Sequence, residues 1–267
     1  MPEGLMKVCL VSLVLSVSFS ACYEPIDGCL DPISVNYDLT ADDQCESCCT
    51  YPKIGININH WWGDETLSTD SFYINGMRQS FRIIDVAFLV HDFELTQSGI
   101  VLSTSDSIDI TCGISSEYIS DSYRELSLQQ RNASLSEFRS SGAYDQFNFS
   151  LGMSDCVQSA ELSLLDEDSE TYSILNDSQN DNGSYTSISF KLVPATTEDT
   201  LIIDFRDASS IAIQLQSPLG HDRGDNLIVP IVVDYSVWLS GIRLDMTTED
   251  LKQTILRDTK SSFSMLE

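Results

Sequence analysis

The chain has 267 residues, 42% of them hydrophobic, and sets 41 acidic side chains against 14 basic ones for a formal charge of -27. Apolar residues in that proportion, spread in short runs, suffice for one large domain with a small appendage. So negative a surface repels phosphate backbones, which argues against nucleic acid as a partner; its carboxylates suit an ion-rich medium and hard cations.

The N-terminus carries a positive side chain at Lys7, followed by the uncharged run Val8–Phe19, too short to span a bilayer. Ser20 and Ala21 then lead into Cys22. This arrangement resembles a bacterial lipobox, with Phe19 where Leu is usual. The resemblance implies that residues 1–21 are a lipoprotein-type signal peptide and that Cys22 is lipidated, becoming the first residue of the mature chain. Ordinary secretory cleavage is the alternative. The expected location is outside the cytoplasm, as a membrane-anchored lipoprotein of the outer membrane or cell surface. The anchor makes the membrane a partner, because several acyl chains hold where one would not.

Six cysteines remain after Cys9 leaves with the leader and Cys22 takes lipid: Cys29, Cys45, Cys48, Cys49, Cys112 and Cys156. An even number in an exported chain favours disulfides. Two bridges within the first four and a Cys112–Cys156 bridge are the economical expectation; pairing inside the first group stays open.

Residues 22–52 read as a separate Cys-rich tether. Gly28, Cys29, Asp31, Pro32, Asn36, Tyr37, Ala41, Asp42, Asp43 and Cys45 fit the spacing G-C-x-D-P-x-A-x-N-Y-x-x-x-A-x-x-D-D-G-x-C. This resembles a short module at the front of exported proteins of Bacteroidetes-type bacteria, with Ser34 and Gln44 as departures. So few residues cannot bury a core, so covalent staples replace it. Asp31, Asn36, Asp38, Asp42 and Asp43 offer oxygens for a calcium ion, although no EF-hand spacing is present. A stapled spacer without calcium is the simpler reading.

Residues 53–267 show alternating apolar and polar positions. Ile54, Ile56 and Ile58 alternate with Gly55, Asn57 and Asn59, the period of a half-buried strand. Further strands are expected at Phe81–Leu95, Tyr144–Leu151, Tyr185–Leu192, Leu201–Phe205, Ala208–Leu215 and Leu227–Leu239. Turns are expected at Asn75-Gly76, Ser98-Gly99, Ser141-Gly142, Asn182-Gly183 and Leu219-Gly220. The prediction is an all-β antiparallel sandwich with a short C-terminal helix at Thr248–Arg257, capped by Thr247 with Asp250 three residues on.

The order of several segments carries a further resemblance. Ile56–Leu67 contains His60-Trp61-Trp62-Gly63, Tyr73-Ile74-Asn75-Gly76 precedes FRIIDVAFLVHDFEL, and Ser141-Gly142-Ala143-Tyr144-Asp145 precedes FNFSLGMSDC. Val229-Pro230 and IVVDYSVWLSGI follow. Together these resemble the MbnP-like family of copper-associated exported proteins. The resemblance implies a β-sandwich, copper as a cofactor and a haem-containing redox partner. Two departures bear on function. Between Ser154 and Asp204 there is neither Trp nor His, and His91 stands where the family strand usually has Ser. Trp61 and Trp62 follow His60, so the family's oxidised-Trp copper site does not transfer.

Copper ligands must then come from His60, His91 and His221, the only imidazoles in the chain, with Met77 and Met153 as thioether candidates. Parity puts His60 on the apolar face, where a hydrogen-bonded core histidine is the bland reading. Alternation sends Asp92 away from His91, and His221 lies in a polar GHDRGD run suited to solvent. No G-x-S-x-G, H-E-x-x-H, P-loop or G-x-G-x-x-G occurs, so no enzyme is expected and no catalytic residue is named. Copper binding or copper-linked recognition is the leading expectation. The alternative is a non-catalytic surface scaffold or adhesion module that has lost the metal.

Overall fold

The computed structural model describes residues 24–104, 107–112, 115–120, 123–159, 165–178, 186–205 and 209–266. The expected signal peptide, Cys22 and the Asn182-Gly183 turn lie outside them.

In the tether, β1 (Asp27–Gly28) and β2 (Asp43–Gln44) pair in parallel. Disulfides Cys29–Cys49 and Cys45–Cys48 take the place of a core and fix the pairing that spacing left open. The tether meets the body where Phe138 N donates to Pro52 O at 2.8 Å and Arg139 lies 3.7 Å over the Tyr51 ring.

The body begins with β3 (Lys53–Trp62), β4 (Glu65–Thr66), β5 (Tyr73–Ile74), β6 (Ser80–Gln97) and β7 (Ile100–Ser103). Next come β8 (Ser107–Cys112), β9 (Ser115–Ser120), β10 (Arg124–Ser127), β11 (Asn132–Glu137) and β12 (Gly142–Leu151). Two helices, α1 (Asp155–Ser159) and α2 (Glu170–Ser178), precede β13 (Ile188–Pro194), β14 (Leu201–Phe205), β15 (Ser209–His221) and β16 (Leu227–Asp234). Helices α3 (Tyr235–Trp238) and α4 (Thr248–Asp258), a 3-10 turn at Thr259–Ser262 and β17 (Phe263–Met265) close the chain.

Two sheets face each other. One runs β14-β13-β6-β12-β15, with β5, β7 and β10 also on β6; the other runs β11-β3-β16-β17, with β4 on β3. Pairing is antiparallel except that β16 lies parallel to β3, from Leu227↔Ile54 to Asp234↔Trp61. Their inner faces meet in one core containing Ile54, Ile56, Ile58, Phe88, Phe149, Phe190, Val229, Ile231 and Trp238. Each such side chain contributes about 1.5–3 kcal/mol on leaving water.

The long strand β6 holds the larger sheet together, and its face changes twice. Phe81 and Ile83 point inward, then Val86, Phe88 and Val90, then Phe93 and Leu95. Register shifts sit between Ile83 and Asp85 and between His91 and Glu94, and a bulge reverses the alternation at each. Leu89 thereby faces outward, into a second apolar cluster with Tyr123, Met153, Val157 and Leu165.

The expected helix forms as Thr248–Asp258, with Thr247 Oγ1 accepting from Asp250 N. Two sequence expectations need correction. The strand expected at Leu227–Leu239 stops at Asp234, whose carboxylate accepts Ser236 N and opens α3. Leu219-Gly220 is no turn: β15 continues through it, pairing Leu219 with Tyr144 and Gly220 with Ala143. By contrast, Ser98-Gly99 closes the β6–β7 hairpin with φ of 51° and 82°, the positive pair that a tight hairpin turn needs. The Asn75-Gly76 turn docks on the end of α3. Asn75 Nδ2 donates to Leu239 O and Ile242 O, and a Cβ on Gly76 would meet Ser240 O at 2.9 Å.

Candidate functional site

His60 sits on the inner face of β3, as its parity requires, and is 1% exposed. Its Nε2–H donates to Ser127 O at 3.1 Å, and its Nδ1 accepts from the Tyr235 hydroxyl at 2.8 Å. Because a carbonyl can only accept, this assigns the tautomer. Burial, aided by Arg131 and opposed by the Ser127 bond, lowers its pKa to about 4. Both ring nitrogens are occupied, so His60 is a core histidine in its hydrogen bonding.

His91 is different. It is 3% exposed, lies flat on Tyr123 with ring centroids 4.3 Å apart, and contacts Asp92 Oδ2 through Nδ1 at 2.8 Å. Alternation predicts that Asp92 points away; the bulge, with Asp92 at φ 53°, folds its carboxylate back onto the neighbouring ring. Asp is among the few residues that adopt this left-handed conformation readily. His91 Nε2 is buried and has no hydrogen-bond partner. The Tyr123 phenol beneath is raised to about 12, first by burial, with hydrogen bonds to Ser154 opposing.

His221 departs from its expected exposure. As the last residue of β15 it pairs with Gly142, is 5% exposed, and packs near Phe138 and Tyr144. Its Nε2 bonds Asp225 O, while Nδ1 is buried without a partner. The polar GHDRGD run predicts solvent because strand continuation past Gly220 is a property of pairing, not of local composition.

The three imidazoles do not converge. His91 pairs with Ser150 and His221 with Gly142, eight residues apart on β12 or roughly 26 Å. His60 reaches the facing sheet at Ser127, which pairs with Ala87, four residues and roughly 13 Å along β6 from His91. Among the thioethers, Met153 is fully buried in the cluster that Tyr123 shares, whereas Met77 is 45% exposed.

The tether oxygens serve its turns. Asp31 accepts from Ile33 N and the Tyr51 hydroxyl, Asn36 from Thr50 N, Asp38 from Thr40 N, and Asp42 from Ile26 N. Asp43 pairs with Asp27 in the small sheet. The hydrogen bonds from Thr40 hold the Asp38 carboxyl below its usual range. Among the described residues, the only group of three close His, Cys, Asp or Glu ligands is Cys45, Cys48 and Cys49, and all three sulfurs are in disulfides. Cys156 is also disulfide-bonded; the Cys112 side chain lies outside what is described, as does the expected pairing of the two.

A groove of about 880 Å³ opens between β15 and β17, lined by Trp61, Gln214, Gln216, Asp234, Phe263 and Met265. Among the described residues Asp234 is the one titratable group of its lining, and its Oδ1 already accepts from Gly63 N and Ser236 N. The described lining thus carries a single carboxylate already engaged by backbone amides. No helix among the described residues is long and apolar enough to cross a membrane.

No family model and no curated protein matches the chain. Among solved structures, it is similar to MbnP from Methylosinus trichosporium, over 70% of this chain and 76% of that one, at 9% identity and a TM-score of 0.38. A TM-score of 0.38 fixes neither a shared fold nor a shared chemistry. Of the groups around the histidines, Tyr235, Ser127 and Tyr123 escape sequence reasoning altogether, because nothing local announces partners so distant in the chain. Asp92 has a signal, its adjacency to His91, which strict alternation discards.

Proposed function

We propose that this protein is an exported, membrane-tethered, non-enzymatic lipoprotein whose β-sandwich binds copper, or takes part in copper-linked recognition, through His91. The supporting observation is the state of that ring: Nδ1 on the Asp92 carboxylate at 2.8 Å, and Nε2 buried without a partner. A carboxylate on one ring nitrogen is the usual outer-shell support for an imidazole that ligates a metal with the other. His91 Nε2 would hold the ion, and the Met153 thioether, buried in the cluster that Tyr123 shares, is the candidate soft ligand suited to Cu(I). The lipobox-like Cys22 and the order of sequence segments support export and the copper link. A haem-containing redox partner belongs to the same reading.

The second reading is a surface scaffold or adhesion module without metal. It is favoured by the wide separation of His60, His91 and His221. Calorimetric titration of the mature protein with Cu(I) and Cu(II) separates the two. Copper binding predicts one ion per chain, lost in His91→Ala, weakened 10–100-fold in Asp92→Asn, and unaffected by His221→Ala. Affinity no better than millimolar, or unchanged by His91→Ala, leaves the scaffold.

A further inference from the structure

We infer that the tether is a thiol–disulfide exchange site, in which Cys45–Cys48 accepts electrons from an external dithiol and hands the break on to Cys29–Cys49. The four sulfurs differ in access. Cys48 is exposed, Cys45 and Cys49 are half-buried, and Cys29 is 1% exposed. The exposed bridge joins residues only three apart, whereas Cys29–Cys49 spans a separation of 20. A short loop gains less from closure than a long one, so the accessible bridge is also the less protected.

The sulfurs of Cys45, Cys48 and Cys49 all lie within 4.8 Å of one another, so a thiolate released from the first bridge is already beside the second. Gln44 Nε2 stands 3.2 Å from Cys49 Sγ and 4.0 Å from Cys45 Sγ, a donor for charge that develops between them. Ser34 Oγ, itself buried, donates to Asp31 O at 2.7 Å and lies 2.9 Å from Cys29 Sγ, placed to accept from the Cys29 thiol once it has recovered its proton.

The steps balance. One thiolate of the dithiol attacks Cys48 Sγ, breaking Cys45–Cys48 and releasing Cys45, which takes a proton. The second thiol of the reductant then attacks its own sulfur in the mixed disulfide, freeing Cys48 and leaving as an oxidised disulfide. The reductant has lost two electrons and two protons, and the tether has gained them. Cys45 or Cys48, deprotonated, next attacks Cys49 Sγ. A new bond to Cys49 forms, Cys29–Cys49 breaks, and Cys29 leaves as a thiolate that recovers the proton. One disulfide remains, and Cys29 is released from the loop it had held.

The test treats the full exported protein with one equivalent of dithiothreitol, quenches with N-ethylmaleimide over time, and maps peptides without reduction. The expected course is label first on Cys45 and Cys48, then on Cys29, as a Cys45–Cys49 or Cys48–Cys49 link appears. Gln44→Ala should slow the second phase roughly two- to tenfold, the worth of one hydrogen bond. Prior opening of Cys29–Cys49, simultaneous opening of both bridges, or label that never reaches Cys29 overturns the proposal. A second phase unchanged in Gln44→Ala removes Gln44 from it. None of these outcomes depends on copper.

Discussion

The Tyr235 hydroxyl donates to His60 Nδ1 at 2.8 Å inside the core, joining the first residue of α3 to a strand 175 positions earlier. The rings also stack, with centroids 5.8 Å apart. Tyr235 is completely buried, and burial holds its phenol well above the usual range, so it remains a donor. Removing the oxygen leaves a buried lone pair unpaired. Tyr235→Phe should therefore cost about 1–3 kcal/mol in urea unfolding, with the denaturant slope unchanged. A neutral result would mean that His60 finds another donor.

Acid should reveal the same histidine. Its folded pKa of about 4 lies below the ordinary 6.5, so the unfolded chain binds the proton first as pH falls. Stability from this group is complete above about pH 6.5 and drains away toward pH 4, by roughly 3 kcal/mol at the limit. Thermal melts at pH 7 and pH 5 should show the loss in the native protein and a smaller one in His60→Gln. Equal losses in both would place the acid sensitivity elsewhere.

Cys112 and Cys156 are expected to be bonded to each other. Cys156 is in a disulfide, and the tether bridges account for Cys29, Cys45, Cys48 and Cys49. A loop of that length contributes ~3–5 kcal/mol in the chain-entropy picture. Non-reducing peptide mapping should recover the two in one cross-linked fragment. Free-thiol alkylation of either in exported protein would refute the pairing.

Cys22 is expected to carry the anchor. Cys22→Ala should leave the thermal melt unchanged while moving the protein from carbonate-washed membranes to the soluble fraction. Mass spectrometry of the N-terminal peptide should show acylation at Cys22 in the parent. An unmodified Cys22 bonded to another cysteine would mean a freely secreted protein.

The sequence by itself determined the class of fold and the identity of most strands. Side-chain alternation is a local property of extended backbone, and Ile54, Ile56 and Ile58 display it within five residues. It also determined the C-terminal helix, because Thr247 and Asp250 cap within one turn. What only tertiary structure decided is where the histidines point. His60 acquires partners at Ser127 and Tyr235, on other elements. Strand pairing buries His221 at the start of a polar run, and a bulge imposed by pairing with β12 turns Asp92 back onto His91. Register and bulges follow from neighbours far along the chain, so the chemistry at each imidazole exists only once the sheets have formed.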